Sequence, residues 1–241
     1  MKLKTFSVPY IVDERMVFAS EYLQAQGYKC VDSSDDADFI LLPIPAKDYM
    51  FENLGNKTIF YGCGDYQGID YNKFESFVME NAYLTSEGAI SLLKENSDRS
   101  IYASKVLITG YGRIARALHR AFDAMGAKVT ICCRSDGAGT EAGFRGADVI
   151  GFDELKNDNC YDFIFNTVPH MIFTKNELDK VNKETLLFDL ASFPGGVDTL
   201  YAKSKGVKLI DGKKLPSRYS KKSAGELIGR TVEKIIKEDF S

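Results

Sequence analysis

A glycine turn between a short apolar strand and a helical segment constrains the fold of this chain more than any other feature. Residues 105–135 read KVLITGYGRIARALHRAFDAMGAKVTICCRS. Residues 106–109 are apolar and β-forming, the glycines follow at once, and a second apolar run covers residues 129–133. This order of strand, glycine turn, helix and strand predicts a βαβ unit of a Rossmann-type sheet.

The glycine turn has the spacing of a dinucleotide-binding fingerprint. Gly110 would take the tight turn out of the strand, and Gly112 would let the backbone approach a pyrophosphate because no Cβ is in the way. Ala115 would keep the helix close to the sheet. The pyrophosphate would lie on the amide groups of the helix that begins near Arg113. We therefore predict a dinucleotide site, and the alternative is an ordinary tight turn.

The end of the second strand carries a signal for the choice of cofactor. About 20 residues past the glycines, a carboxylate would bind the ribose 2′-hydroxyl of NAD, but the chain has Arg134 and Ser135 there. A guanidinium forks onto phosphate oxygens, so this pair favours the 2′-phosphate of NADP. In the alternative, Arg134 is a solvated charge and Asp136 binds the ribose, so that NAD remains an option.

The composition excludes several classes of protein. The 241 residues carry 31 Lys and Arg against 34 Asp and Glu, a net charge of −3, which gives no support to a nucleic-acid partner. No segment approaches the ~20 apolar residues of a membrane span, and the first residues lack the apolar core of a signal peptide, so a cytoplasmic protein is expected. Five cysteines without CxxC spacing and two histidines argue against a disulfide framework and against a metal site.

Apolar strands alternate with helical segments, which predicts parallel sheets covered on both faces. We expect an α/β fold with a doubly wound Rossmann-type domain and a smaller N-terminal α/β domain. The predicted boundaries are 1–84 for the N-terminal domain, 85–99 for a connector helix, 100–221 for the Rossmann domain and 222–241 for a C-terminal helix that returns to the N-terminal domain. Polar turns follow the strands that end near Asn166 and Asp189, at the edge where such sheets bind ligands.

Two further segments have both a functional and a structural interpretation. In the connector, Ser86 and Glu87 either open into a cleft between the domains or serve as a helix cap and a first-turn carboxylate, with Thr85 as the other candidate cap. The basic loop at residues 213–222 either attracts an anionic substrate or is solvated surface.

Several linked motifs resemble the family of the dipicolinate synthase A subunit. They are NTVPH at 166–170, LFDLASFPGGVD at 187–198 and KKSAGELI at 221–228, all downstream of VLITGYGRIA at 106–115. The order of motifs is kept from residue 81 to the C-terminus, and residues 81–88 are similar to the family's connector. Asp13, Glu14 and Arg15 are similar to its N-terminal acidic and arginine pair.

The resemblance implies a two-domain fold akin to the D-2-hydroxyacid dehydrogenases. It implies oxidation of a dihydrodipicolinate-type dicarboxylate to pyridine-2,6-dicarboxylate in the mother-cell cytoplasm during sporulation. It makes a flavoprotein-like B subunit the expected partner, and it is compatible with a homo-oligomer. It assigns the cofactor phosphates to Gly110, Gly112, Arg113, Ile114, Arg134 and Ser135. It assigns the nicotinamide surroundings to Asn166, Thr167, Val168, Pro169, Asp189, Ala191 and Ser192.

The chain departs from the family pattern in the loop that holds the substrate candidates. Ser217 replaces a glycine, Arg218 and Lys221 are added, and the N-terminal domain is expected to be shorter. The candidates for holding substrate carboxylates are Arg218, Lys221 and Arg15, and those for handling the proton are Ser86, Glu87, Asn166 and Ser192. The alternatives are a diverged dehydrogenase of another small carboxylate and a non-catalytic dinucleotide-binding protein that acts as a scaffold or redox sensor.

Overall fold

The structure is a computed structural model that describes residues 3–157 and 160–240. The chain forms two compact units, a continuous unit of Thr85–Leu215 and a discontinuous unit of Met1–Leu84 with Pro216–Ser241. Each unit is built on a parallel sheet. The predicted α/β class, with a Rossmann-type sheet and a second α/β domain, is confirmed.

The sheet of the discontinuous unit has five strands, β1 (Thr5–Ser7), β2 (Lys29–Cys30), β3 (Phe39–Leu41), β4 (Thr58–Tyr61) and β5 (Ile69–Asp70). Their order is β2-β1-β3-β4-β5, and all neighbours are parallel. Every residue of β3 is buried, as expected for a central strand covered on both faces. Phe39 stacks on Phe6 of β1 with ring centroids 5.5 Å apart, which fixes the register at the centre of the sheet.

One face of this sheet is covered by two helices from opposite ends of the sequence, α1 (Glu14–Ala25) and α8 (Lys221–Asp239). Asp13 caps α1 by accepting from the amide of Arg15. The helices share one hydrophobic core, to which α1 contributes Met16, Ala19 and Leu23 and α8 contributes Leu227, Ile228, Val232, Ile235 and Ile236.

The sheet of the continuous unit has six parallel strands, β6 (Lys105–Thr109), β7 (Lys128–Cys132), β8 (Asp148–Ile150), β9 (Phe163–Asn166), β10 (Leu186–Asp189) and β11 (Lys208–Asp211). Their order is β11-β10-β9-β6-β7-β8. The chain therefore runs outward from β6 in one direction, then returns and runs outward from β9 in the other. This reversal between β6 and β9 is the topological switch point at which open α/β sheets bind ligands.

The remaining helices are α2 (Glu75–Asn96), α3 (Arg113–Ala124), α4 (Asp136–Phe144), α5 (Lys175–Leu178), α6 (Thr199–Lys205) and α7 (Leu215–Tyr219), with short 3-10 turns between elements. Within residues 3–157 and 160–240, no helix has the length and apolarity needed to cross a membrane. No group of three or more His, Cys, Asp or Glu side chains in these ranges is arranged to hold a metal ion.

Two local predictions are wrong. Thr85 and Ser86 do not cap a connector helix, because α2 begins ten residues earlier than Thr85, at Glu75, and both hydroxyl residues are buried within it. The basic segment after β11 is also not a continuous loop, because Leu215 starts the short helix α7. In both places buried apolar side chains favour a helix although the local sequence carries turn and cap residues.

Candidate dinucleotide site

The glycine turn after β6 strongly favours glycine at its first position. Gly110 has a φ of +82°, a region that L residues rarely adopt. A Cβ built there would lie 2.9 Å from Val168 Cγ2 and 3.0 Å from Thr167 Oγ1. The backbone at Gly110 therefore lies directly against the loop that follows β9.

The second glycine leaves open space above the start of α3. Gly112 is the N-cap residue, and no side chain of the described residues caps the first amide groups of the helix. A Cβ built on Gly112 would meet no atom within 4 Å. Ala115 is fully buried against the sheet, while Arg113 is exposed beside the open space. Uncapped amide groups under an open surface fit a pyrophosphate, so the residues present suit a dinucleotide.

The tyrosine between the two glycines anchors the turn to α3. The hydroxyl of Tyr111 and Nδ1 of His119 are 3.0 Å apart and form a buried hydrogen bond. The guanidinium of Arg116 lies over the Tyr111 ring, 5.2 Å from its centroid, and also pairs with Glu141. Burial lowers the pKa of His119, which keeps its ring neutral at pH 7. His119 is therefore a structural partner of the turn.

A cleft at the ends of β7 and β8 contains the residues predicted to select the cofactor. Its volume is about 410 Å³, and Arg134, Ser135 and Asp136 all line it and are exposed. The Ser135 hydroxyl caps α4 by accepting from the amide of Ala138 at 3.4 Å, which leaves its own O–H free to donate to a ligand. The structure thus brings together both candidate ribose-binding groups, the cationic pair and Asp136.

Three polar side chains form a buried network where β6, β9 and β10 end. The Thr109 hydroxyl donates to Oδ1 of Asn166 at 2.6 Å, and Nδ2 of Asn166 donates to Oδ1 of Asp189 at 2.8 Å. Val168 fixes the orientation of the Asn166 amide, because its N–H donates to Oδ1 and its carbonyl accepts from Nδ2. The network therefore ties the ends of three neighbouring strands into one rigid edge.

This network changes the expected contribution of Asn166. The side chain is fully buried, and both its amide oxygen and its amide nitrogen bind two protein partners each. A group engaged in this way is suited to positioning the loop of residues 166–169. Its assignment as a proton-handling residue stays a prediction.

The loops around this edge present the other predicted nicotinamide residues. The Thr167 hydroxyl donates to the carbonyl of Thr109 at 2.7 Å, and Ala191 is buried. Pro169 and Ser192 are exposed, and Val168 is half-buried. The two loops also contact each other, because the amides of Ile172 and Phe173 donate to the carbonyl of Gly196. The predicted nicotinamide residues thus lie on adjoining loops at one sheet edge.

The remaining candidates lie in other parts of the fold. Ser86 is only 3% exposed within α2, and Glu87 is exposed on the same helix. In the discontinuous unit, Lys221 forms an ion pair with Glu14. Arg218 is exposed and lies over the Tyr219 ring, 5.1 Å from its centroid.

Arg15 is also engaged by its own unit. It forms a two-pronged ion pair with Asp13, with its Nε and Nη2 atoms 2.9 and 2.7 Å from the carboxylate oxygens. Nη2 also donates to the carbonyl of Ile44 at 2.8 Å. The motif at residues 13–15 therefore joins the start of α1 to the loop after β3, and its substrate role stays a prediction.

His119 was predicted to be a packing or surface residue of the helix after the glycines, and it is buried there, but the sequence did not indicate Thr109 or the hydrogen bond between Tyr111 and His119. A polar residue closing an apolar strand was the available signal for Thr109, since a buried hydroxyl at that edge needs a partner. The Tyr111 and His119 pair has no comparable local signal, because it depends on how the turn folds back over α3.

Comparisons with known proteins agree with this geometry. The family model for the D-isomer specific 2-hydroxyacid dehydrogenase NAD-binding domain matches residues 75–191. The dipicolinate synthase A subunit of Bacillus subtilis (strain 168) is 33% identical to this chain over 165 residues. The match covers 68% of this chain and 56% of that relative, so it spans little more than half of the relative's length.

Solved structures share the fold over nearly the whole chain. The A chain of dipicolinate synthase from Bacillus subtilis superposes with a TM-score of 0.87 at 24% identity and covers 99% of this chain and 97% of that one. The corresponding protein from Bacillus halodurans gives a TM-score of 0.86 at 21% identity, with 97% of each chain covered. D-2-hydroxyisocaproate dehydrogenase gives 0.62 at 12% identity and covers 99% of this chain and 98% of that one. The resemblance noted in the sequence is confirmed, and an NAD-binding domain of the dehydrogenase type is present.

Proposed function

Because this chain is a divergent relative of the dipicolinate synthase A subunit, we propose that it is an NADP-dependent oxidoreductase that converts a dihydrodipicolinate-type cyclic dicarboxylate to dipicolinate. A flavoprotein-like B subunit is the proposed partner, and the mother-cell cytoplasm of a sporulating cell is the proposed location. The nicotinamide, when bound, supplies the hydride acceptor.

One observation carries this proposal. The open, uncapped start of α3 and the polar network of Thr109, Asn166 and Asp189 lie on neighbouring strands at the same edge of the sheet. The first feature suits the phosphates of a dinucleotide, and the second gives a rigid support for the loops beside its reactive end. Holding two reactants in contact and excluding water is the main contribution a protein makes to hydride transfer.

The remaining roles in the proposal belong to this chain's own side chains. Ser192 is exposed on the loop after β10 and presents a hydroxyl that can take or return a proton. Arg218 and Lys221 carry the positive charge proposed to hold the substrate carboxylates, with Lys221 exchanging its ion pair with Glu14 for the substrate. Ser86 and Glu87 are the further candidates for the proton.

The second candidate function is a dinucleotide-binding scaffold or redox sensor without catalysis. The full engagement of Asn166 favours it, because this amide has no hydrogen-bonding position left for a substrate in the observed arrangement. The exposed hydroxyl of Ser192 and the exposed guanidinium of Arg218 favour an enzyme. A dehydrogenase of another small carboxylate would use the same cofactor site.

The deciding experiment is turnover by the purified full chain, with and without the flavoprotein-like partner of a relative. NADP reduction would be followed by absorbance on a mixture that generates dihydrodipicolinate, and Arg218→Ala would be assayed beside the wild type. We expect reduction, with a raised KM and a nearly unchanged kcat for Arg218→Ala. Cofactor binding without reduction in both conditions would favour the scaffold, and an unchanged KM would remove Arg218 from the substrate site.

Cofactor choice gives a separate prediction. Replacing Arg134 with Gln removes the guanidinium from the cleft, so the affinity for NADP should fall about 10- to 100-fold while the affinity for NAD stays within about twofold. Isothermal titration with each dinucleotide measures both values. Lys203→Gln, which removes one positive charge from α6 of the same unit, is the control and should leave both affinities unchanged.

The same titration tests the alternative that Asp136 binds the ribose. In that case Asp136→Ala would weaken NAD binding by about tenfold, and Arg134→Gln would have no effect on either dinucleotide. That pattern would make NAD the cofactor.

A further inference from the structure

The Asp189 carboxylate is buried among neutral hydrogen-bond donors. It is the last residue of β10 and is 6% exposed. Oδ1 accepts from Nδ2 of Asn166 at 2.8 Å and from the amide of Ala191 at 3.4 Å, and Oδ2 accepts from the amide of Gly196 at 3.3 Å. Throughout the described ranges 3–157 and 160–240, no Lys, Arg or His side chain forms an ion pair with it.

The groups around Asp189 are arranged to donate to both of its oxygens. Both oxygens of Asp189 receive N–H donors, and the orientation of the Asn166 amide is set independently by Val168. A carboxylate that only accepts is therefore the form that the surrounding groups bind. Neutral donors solvate it but do not cancel its charge, so its field extends into the adjoining space and is weakly screened there.

The position of Asp189 determines what this field acts on. β10 lies beside β9, which adjoins β6 and the glycine turn. In a doubly wound sheet the dinucleotide crosses the switch point, with its adenosine on the side of β7 and β8 and its nicotinamide on the side of β9 and β10. The cleft with Arg134 lies on the adenosine side, and Asp189 lies on the other.

The two redox forms of the cofactor differ in charge at that end. The oxidised nicotinamide ring carries a positive charge, and the reduced ring is neutral, while the rest of the dinucleotide is the same in both. We propose that Asp189 is a specificity-determining residue that makes the site bind the oxidised dinucleotide more tightly than the reduced one. This inference rests on the proposed cofactor site, and it predicts that the reduced product is the form released more easily.

A purely mechanical contribution of Asp189 makes a different prediction. The carboxylate also holds the loop of residues 190–196 through the amides of Ala191 and Gly196. Loss of that contact alone would weaken both redox forms equally, because both use the same loops. The ratio of the two dissociation constants therefore separates charge from loop positioning.

The test is titration of the full chain with NADP⁺ and NADPH, for the wild type, Asp189→Asn and Asp189→Ser. We expect the wild type to bind NADP⁺ more tightly, and we expect the preference to fall about 5- to 10-fold in both neutral variants. Asp153→Asn, which removes an exposed carboxylate of the same unit, is the charge control and should keep the wild-type ratio. Any general loss of folded protein cancels in the ratio.

Any result other than this loss of preference in the neutral variants would overturn the inference. A ratio within twofold of the wild type in the neutral variants, or a matching change in Asp153→Asn, would show that the Asp189 charge does not select the redox form. If neither variant folds, the wild-type ratio decides, and tighter binding of NADPH would overturn the inference. Binding of neither form by the wild type would overturn the proposed function with it, whereas binding with an unchanged ratio would overturn this inference alone.

Discussion

Gly112→Asp is expected to raise the dissociation constant for the dinucleotide more than about 100-fold while leaving the folded protein at least as stable as before. Gly112 is the N-cap of α3, its backbone is extended, and a Cβ added there meets no atom of the described residues within 4 Å. Aspartate is a favoured N-cap residue, so its carboxylate would cap the first amide groups of α3 and add a few tenths of a kcal/mol to helix stability. The carboxylate would also occupy the position proposed for the pyrophosphate and repel its negative charge. Titration calorimetry and thermal unfolding measure the two effects separately.

Two companion variants make this prediction specific. Gly112→Ala adds a Cβ without charge and should weaken binding by a smaller factor. Gly110→Ala should instead lower the stability of the folded protein. The φ of +82° at Gly110 and its contact with Val168 make a Cβ destabilising there. Retention of wild-type affinity by Gly112→Asp would show that the start of α3 does not hold the phosphates.

Asn166→Leu is expected to lower the free energy of unfolding by about 3 to 5 kcal/mol. Leucine has the same branching and the same number of heavy atoms as asparagine, so the main loss comes from polar groups left without partners. The Thr109 hydroxyl, the Val168 N–H and the Asp189 carboxylate would each lose a hydrogen bond while buried or half-buried. Urea and thermal unfolding of the purified variant measure this loss.

Thr109→Val is the graded control for the same network. It keeps the shape of the side chain and removes one hydrogen bond, the donation to Asn166 Oδ1, so a loss of about 1 kcal/mol is expected. If both variants lowered the free energy of unfolding by the same amount, only one hydrogen bond of Asn166 would contribute to stability. No effect of Asn166→Leu would contradict the argument that the network holds the strand ends together.

The sheet of the continuous unit could be predicted because its information is local. The strands β6, β9 and β10 are short apolar runs, and the glycines that end β6 have a spacing with one main structural meaning. The place of Arg134 just after β7 could likewise be predicted from its position in the sequence alone. Each of these features depends on neighbouring residues, which is the scale at which sequence patterns are informative.

The polar network could not be predicted in the same way. Thr109 and Asn166 are 57 residues apart, and Asn166 and Asp189 are 23 apart, so their contact depends on strand order and register. Asn166 was predicted from its loop position as a proton-handling group, but that position does not reveal that four hydrogen bonds engage its amide. The extent of α2 was missed for a related reason, since Thr85 and Ser86 resemble caps locally but are buried within that helix.

The discontinuous unit has a consequence for the order in which the protein can be completed on the ribosome. Its core requires α8, whose residues Leu227, Val232 and Ile235 pack with Met16 and Leu23 near the other end of the sequence. All strands of the continuous unit are synthesised before α8 leaves the exit tunnel. Part of one apolar face of the nascent N-terminal sheet therefore stays uncovered until α8 has been synthesised, and a chaperone would have to cover this face in the meantime.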